Sequence, residues 1–151
     1  MRGRQLGAGR YGAGDLTAGD WYLTPGVTVT EAHILTFAGL TGDFFDVHVD
    51  DEFARSAGFP GRIAHGLLTL GLVDGLKNRS VVQLNAVASL GWSCSFRAPV
   101  LPGDRITAEI SVVDIRPTSK PHRSVVVLNV TASKQTSEVV LDGTTTLLMR
   151  T

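Results

Sequence analysis

Asp43 and His48 stand five residues apart in the stretch TGDFFDVHVDDEFARSAGFPGRIAHG, which runs from Thr41 to Gly66. Gly66 follows His48 by eighteen residues and opens an apolar run, GLLTLGLVDGLK. A carboxylate, an imidazole and a free backbone N–H at a helix start are the parts needed to move a proton beside a polarised carbonyl. The N–H groups of a first helical turn have no intrahelical acceptor. A glycine there lets a ligand oxygen come close to the main chain. Each residue also has a plain structural reading. Asp43 alone is an ordinary turn aspartate that bonds nearby N–H groups. His48, flanked by Val47 and Val49 and near Phe44 and Phe45, fits a buried structural histidine. His65, directly ahead of Gly66, fits a histidine that hydrogen-bonds at the helix start.

Other chemistries are weaker. Asp43, Asp46, His48 and His65 can be drawn as a metal cluster, but they lack the i, i+4 histidine pair or the cysteine pairs of convincing metal spacing. No metal is expected. Cys94 lies in GWSCSF without a nucleophile signature, and Ser56 has no evident base. Gly7-Ala8-Gly9-Arg10-Tyr11-Gly12 matches G-x-G-x-x-G, a pattern with mechanical meaning only between a strand and a helix. No strand-like run precedes it, so no nucleotide site is expected there.

Several elements must hold the three residues. Thr30 is a good N-cap, with Glu31 in the first turn of a helix whose apolar residues are Ile34, Leu35, Phe37, Ala38 and Leu40. Gly42 ends that helix, and Asp43–Val49 follows as a loop. Asp50 caps a second short helix, broken by Gly58-Phe59-Pro60-Gly61. From Ala64 to Lys77 a helix is apolar nearly all round, which predicts a central buried element. Its Gly71 and Gly75 lower helix propensity and are expected where sheet or partner backbone packs closely. Val81–Ala88, Leu90–Ala98, Arg105–Ile115, Arg123–Ser133 and Val139–Met149 are rich in Val, Ile and Thr and read as antiparallel strands. Helices feeding a run of strands give an α+β fold, with the sheet wrapped around the apolar helix. Residues 1–14, rich in Gly and Arg, read as a mobile tail, and residues 15–151 as one domain.

Bulk properties narrow the function. The chain has 151 residues, 43% hydrophobic, with 14 basic and 14 acidic side chains, so its formal net charge is zero. That length suits one domain with a sizeable core. Zero net charge argues against a nucleic-acid or anionic-membrane partner. One cysteine excludes an intrachain disulfide framework. The apolar runs are too short to span a bilayer, and the N-terminus lacks the apolar core of a secretory signal. A reducing cytoplasm is the expected setting.

The stretch TGDFFDVHVDDEFARSAGFPGRIAHGLL closely resembles the signature of MaoC-like, (R)-specific enoyl-CoA hydratases. In rough form that signature is G-D-x-N-P-[LIV]-H-x-D, a short helix rich in Ala and Ser, then F-x-x-x-I-[AV]-H-G-[ML]. The resemblance covers residues 20–150, and Pro99–Asp104 resembles the family's downstream strand and turn. It implies a hot-dog fold, a long central helix wrapped by an antiparallel sheet, in a homodimer or higher homo-oligomer. It implies reversible hydration of a 2-enoyl-CoA to an (R)-3-hydroxyacyl-CoA, a hydro-lyase reaction without cofactor or metal. Asp43 and His48 fall on the family's catalytic pair, and Gly66 on the glycine whose N–H polarises the thioester carbonyl. Phe45-Asp46 replaces the family's Asn-Pro, so Phe45 becomes a candidate for contact with the acyl group. His65 and Asp74 are further candidates for substrate contact, Asp74 favouring a polar or short acyl group. Arg62 is a candidate for CoA phosphates, as are Arg97, Lys120, His122 and Arg123. Two other functions share the fold: a hot-dog acyl-CoA thioesterase and a non-catalytic acyl-CoA-binding subunit.

Overall fold

Local signals set the helices that carry the site. In the computed structural model, which describes residues 2–151, Thr30 caps helix α1 (Glu31–Thr41) by accepting from the His33 N–H. Gly42 closes α1 in the left-handed conformation at φ 82°, which glycine adopts without strain. A one-turn helix, α2 (Asp46–Val49), stands where a loop was expected. The Asp50 side chain then caps α3 (Asp51–Ser56) by accepting from the N–H groups of Glu52 and Phe53. Helix α4 (Gly66–Asn78) follows, 13 residues long, or about 20 Å.

Eight strands accompany them: β1 (Gly9–Tyr11), β2 (Trp21–Leu23), β3 (Val27–Thr28), β4 (Val82–Leu84), β5 (Ala86–Phe96), β6 (Arg105–Pro117), β7 (Arg123–Ser133) and β8 (Val139–Arg150). The main sheet is antiparallel in the order β2-β6-β7-β8-β5, with β3 also paired to β6. Alternate residues face the core, as a sheet buried on one face requires. Ile106, Ala108, Ile110 and Val112 of β6 join Val126, Leu128 and Val130 of β7, Leu141, Leu147 and Met149 of β8, and Leu68 and Val73 of α4 in one cluster. This is the α+β arrangement expected, with α4 on the inner face of the sheet.

Three expectations are corrected. First, residues 3–14 are not a mobile tail. Leu6 is buried and its N–H donates to the Trp21 carbonyl at 2.8 Å, while Trp21 N–H donates to Arg4. The Arg4 guanidinium bonds buried Asp20 at 2.8 Å, and β1 pairs in parallel with β4. Backbone pairing and one ion pair replace the missing apolar periodicity. The glycine-rich pattern is therefore partly a strand itself.

Second, the two expected strands across residues 81–98 are a short β4 and one continuous β5. Irregularities at Ala86/Ala88 and Ser89/Gly91 carry β5 past what looked like a break, as bulges do. Third, α4 is not buried all round. Leu68, Val73 and Leu76 face the core, whereas Leu67 is 64% exposed. Nothing lies within 4 Å of where a Cβ on Gly71 or Gly75 would stand, so no sheet backbone packs on them.

A polar group of side chains also sits at the far end of α4. Lys77, 5% exposed, brings its ammonium to 3.0 Å from Asp74 Oδ1. The contact is an ion pair without hydrogen-bond alignment, because that oxygen still lacks a bonding partner. The Tyr22 hydroxyl is buried and also unpartnered. Burial first, and then the Asp74 charge, push its ionisation well above the ordinary tyrosine range.

Candidate active site

Backbone bonds fix the position of His48. Its N–H donates to Phe45 O at 2.9 Å at the start of α2, and Ile63 N–H donates to Val47 O at 3.1 Å. The extended strap around Ile63 is held on its other side by Ala64 N–H donating to Val100 O at 2.7 Å. His48 Nδ1 lies 2.8 Å from the Ile63 carbonyl oxygen. A carbonyl only accepts, so Nδ1 carries the hydrogen, and in the neutral ring Nε2 is left as an acceptor.

Asp43 follows the left-handed Gly42. Its N–H donates to Thr41 Oγ1 at 3.2 Å, and its Oδ1 accepts from the Phe45 N–H at 3.3 Å. The turn-aspartate reading therefore holds for one carboxylate oxygen. A ligating oxygen of Asp43 and a ring nitrogen of each of His48 and His65 all lie within 4.8 Å of one another. Two hydrogen bonds of about 2.8 Å meeting at a water span a distance of similar order.

His65 is 2% exposed and acts from beneath. Its ring stacks on His48 with centroids 3.8 Å apart at 28°, and Phe37 covers it at 4.8 Å. Its Nε2 lies 2.9 Å from the Asp43 carbonyl oxygen, and its Nδ1 is buried without a partner. Each imidazole thus spends one nitrogen on a carbonyl. Ring lone pairs lie in the ring plane, and the planes are close to parallel, so the two free nitrogens do not converge on one point. Stacking of this kind does not suit joint ligation of a metal.

Gly66 begins α4, and no side chain caps the helix start. A Cβ on Gly66 would lie 2.6 Å from Phe96 Cε2, so any larger residue there must push that ring aside. Gly66 and His48 both line a cavity of about 330 Å³, walled by Phe59, Ile63, Phe96, Val100 and Val140, with Thr69 and Arg97 as polar members. The start of α4 and the His48 imidazole therefore face one largely apolar space.

The other sequence candidates fall as follows. Phe45 is exposed and sets its edge toward His48, with ring centroids 6.4 Å apart. Asp46 opens α2 and belongs to its first turn. Arg62 is taken up by ion pairs, to Asp51 through Nε at 3.0 Å and to Glu31. The Arg62 N–H and then its guanidinium hold the Asp51 carboxyl below its ordinary range. Asp74 lies about two turns beyond Gly66 along α4, paired with Lys77, and neither it nor Arg62 belongs to the cavity wall. Arg97 does, and it also bonds Asp142 at 2.9 Å. Sequence reasoning missed the Ile63 carbonyl, since a backbone acceptor leaves no residue-type signal. It also missed Phe96, although Phe96 shares the inward parity of Trp92 and Cys94 on β5.

Comparison with known proteins fits this geometry. The sequence profile described as MaoC like domain matches residues 16–135. The chain belongs to the MaoC-like domain family. The MaoC-like chain is 31% identical over 122 residues to an (R)-specific enoyl-CoA hydratase of Rhodospirillum rubrum, covering 81% of each. The crystal structure of a MaoC-like dehydratase from Rhodospirillum rubrum superimposes with a TM-score of 0.83 at 29% identity, covering 93% of this chain and 97% of that one. A Mycobacterium tuberculosis protein described as a double hot-dog fold superimposes with a TM-score of 0.83 at 22% identity, over 96% of this chain and 46% of that one. That likeness shows the fold, and the MaoC-like chain is a hot-dog protein. None of its described helices is long and apolar enough to cross a membrane.

Proposed function

We propose that this MaoC-like protein is a hydro-lyase that reversibly hydrates a 2-enoyl-CoA to an (R)-3-hydroxyacyl-CoA. The observation that carries the reading is the shared cavity: His48, its Nδ1 held by the Ile63 carbonyl, and Gly66 at the open start of α4 line one space. The fit to a conjugated thioester is direct. Water held between Asp43 and His48 adds to Cβ as His48 Nε2 accepts one of its protons. Electron density moves to the thioester oxygen, where the Gly66 N–H and the helix dipole stabilise it. Cα then takes a proton from the pair, and the elements of water are conserved. The relative named as an (R)-specific enoyl-CoA hydratase supports the product's hand.

The wall of Phe59, Ile63, Phe96, Val100 and Val140 suits an apolar acyl group. Arg97 at that wall is the cation best placed for the polar CoA portion. The reaction so written needs no metal and no cofactor. The protein acts as a homodimer: among the described residues edge strand β5 has no partner beyond β8, and Val87, Leu90 and Phe96 on it are exposed. With one cysteine in the chain and a CoA thioester as substrate, the cytoplasm is the setting proposed.

The test is crotonyl-CoA hydration followed by loss of enoyl absorbance, with chiral analysis of the product. Asp43→Asn and His48→Ala are expected to remain folded and lose turnover by ~10²–10⁴-fold. Wild-type activity in both would remove this mechanism. Release of free CoA thiol without enoyl loss would establish the thioesterase reading, and tight binding without either reaction the non-catalytic one.

A further inference from the structure

The imidazole of His65 touches both members of the proposed catalytic pair without itself lining the cavity. Its ring face lies 3.8 Å from the His48 ring, and its Nε2 lies 2.9 Å from the Asp43 carbonyl oxygen. That carbonyl can only accept, so Nε2 carries a hydrogen and donates it. The ring is 2% exposed and sits between Phe37 and His48. Its remaining nitrogen, Nδ1, is buried and has no protein hydrogen-bond partner among the described residues.

That last feature separates function from packing. An unpaired buried acceptor is unfavourable, and a phenyl ring would fill the same slot without it. Packing alone therefore does not account for a histidine between two aromatic faces. The bond from Nε2 does. Asp43 lies in the exposed segment just past the C-cap of α1, where its local ties are the 3.2 Å and 3.3 Å bonds to Thr41 and Phe45. Among the described residues, the His65 bond ties this segment to the N-cap of α4, 22 positions later in the chain.

We infer that His65 is a positioning residue: its Nε2–H pins the main chain of Asp43 while its ring face fixes the plane of His48. The carboxylate, the base and the start of α4 are thereby held in one register. This rests on the hydratase reading for its kinetic arm only. A displacement of about 1 Å in such a constellation costs on the order of 10²-fold in rate.

Three substitutions separate the parts. In His65→Gln the amide nitrogen reaches the place of Nε2; in His65→Asn it reaches only the place of Nδ1; His65→Phe keeps the stack without a donor. With crotonyl-CoA, Phe and Asn are expected to lower kcat by roughly 10- to 100-fold with KM nearly unchanged. Gln is expected to recover most of that loss. Melting temperatures establish which variants are folded, and the Gln/Asn pair decides the matter even if Phe does not fold. Independently of turnover, ¹⁵N NMR of the wild-type ring is expected to show His65 with hydrogen on Nε2 and none on Nδ1. Equal kcat for Gln, Asn and wild type, or the opposite tautomer, would overturn the inference. If the wild type hydrates nothing, the hydratase reading fails, and the NMR arm still decides the hydrogen bond.

Discussion

His48 Nδ1 and the Ile63 carbonyl oxygen are 2.8 Å apart, and this one bond decides which ring nitrogen is left free to accept a proton. The acceptor belongs to the strap leading into α4, so His48 and Gly66 are tied through four residues of main chain, Ile63 to Gly66. His48→Asn offers an amide donor near the place of Nδ1 and removes the group at Nε2. It is expected to match the wild type in thermal melting and to lose hydration of crotonyl-CoA by ~10²–10⁴-fold. Retained turnover would show that Nε2 is not the base.

Gly66 and Phe96 form a second exclusive pair. A methyl group on residue 66 would stand 2.6 Å from the Phe96 ring. Since Phe96 is 50% exposed, the ring can yield. Gly66→Ala should therefore fold while its methyl and the displaced ring intrude on the cavity. The expected fall in kcat/KM is on the order of 10²-fold. Phe96→Ala in the same chain should recover part of it. A kinetic double-mutant cycle measures this interaction, and strictly additive effects would contradict it.

Arg4 and Asp20 give a pH signature. Burial would raise the Asp20 carboxyl, but the bond from Arg4 and the Thr17 N–H outweigh it and hold the group below its ordinary value of 3.8. A depressed carboxyl adds stability above its unfolded pKa, and that stability is lost as pH falls through the folded value. Without Arg4 its bond and its charge are lost while burial remains, so the carboxyl moves upward from its wild-type position. Arg4→Ala should melt lower than wild type at pH 7, with the difference shrinking as pH falls below about 4. A difference that stays constant over that range in thermal melts would refute the role of this pair.

Leu90 tests the assembly. It is exposed on the free edge strand β5. Leu90→Arg should convert a dimer to a monomer in sedimentation equilibrium, since an unpaired charge at the core of an interface is strongly unfavourable. An unchanged dimer would place the interface elsewhere.

Much of the fold was legible because it rests on local chemistry. Thr30, Gly42 and Asp50 cap or close their helices where their types foretold. The Val- and Ile-rich strands from Arg105 onward have close to the expected bounds. The Asp43, His48 and Gly66 grouping was legible through spacing and resemblance. What escaped depended on distant or main-chain partners. The Ile63 carbonyl is invisible in residue types. Arg62 looked free in sequence because Glu31 and Asp51, its partners, are 31 and 11 positions away. Residues 3–14 carry no period to read, as their hold is mostly backbone to backbone.

The parallel pairing of β1 with β4 has a practical consequence. Val82–Leu84 is the segment through which the chain leaves α4 and enters the free edge strand. Proteolytic trimming before residue 15, where composition invites a cut, would strip Leu6 and Ala13 from the core and leave that exit without its neighbour. The harm would surface at the proposed dimer edge, far from the nick, and would read as a lost oligomer rather than a lost terminus.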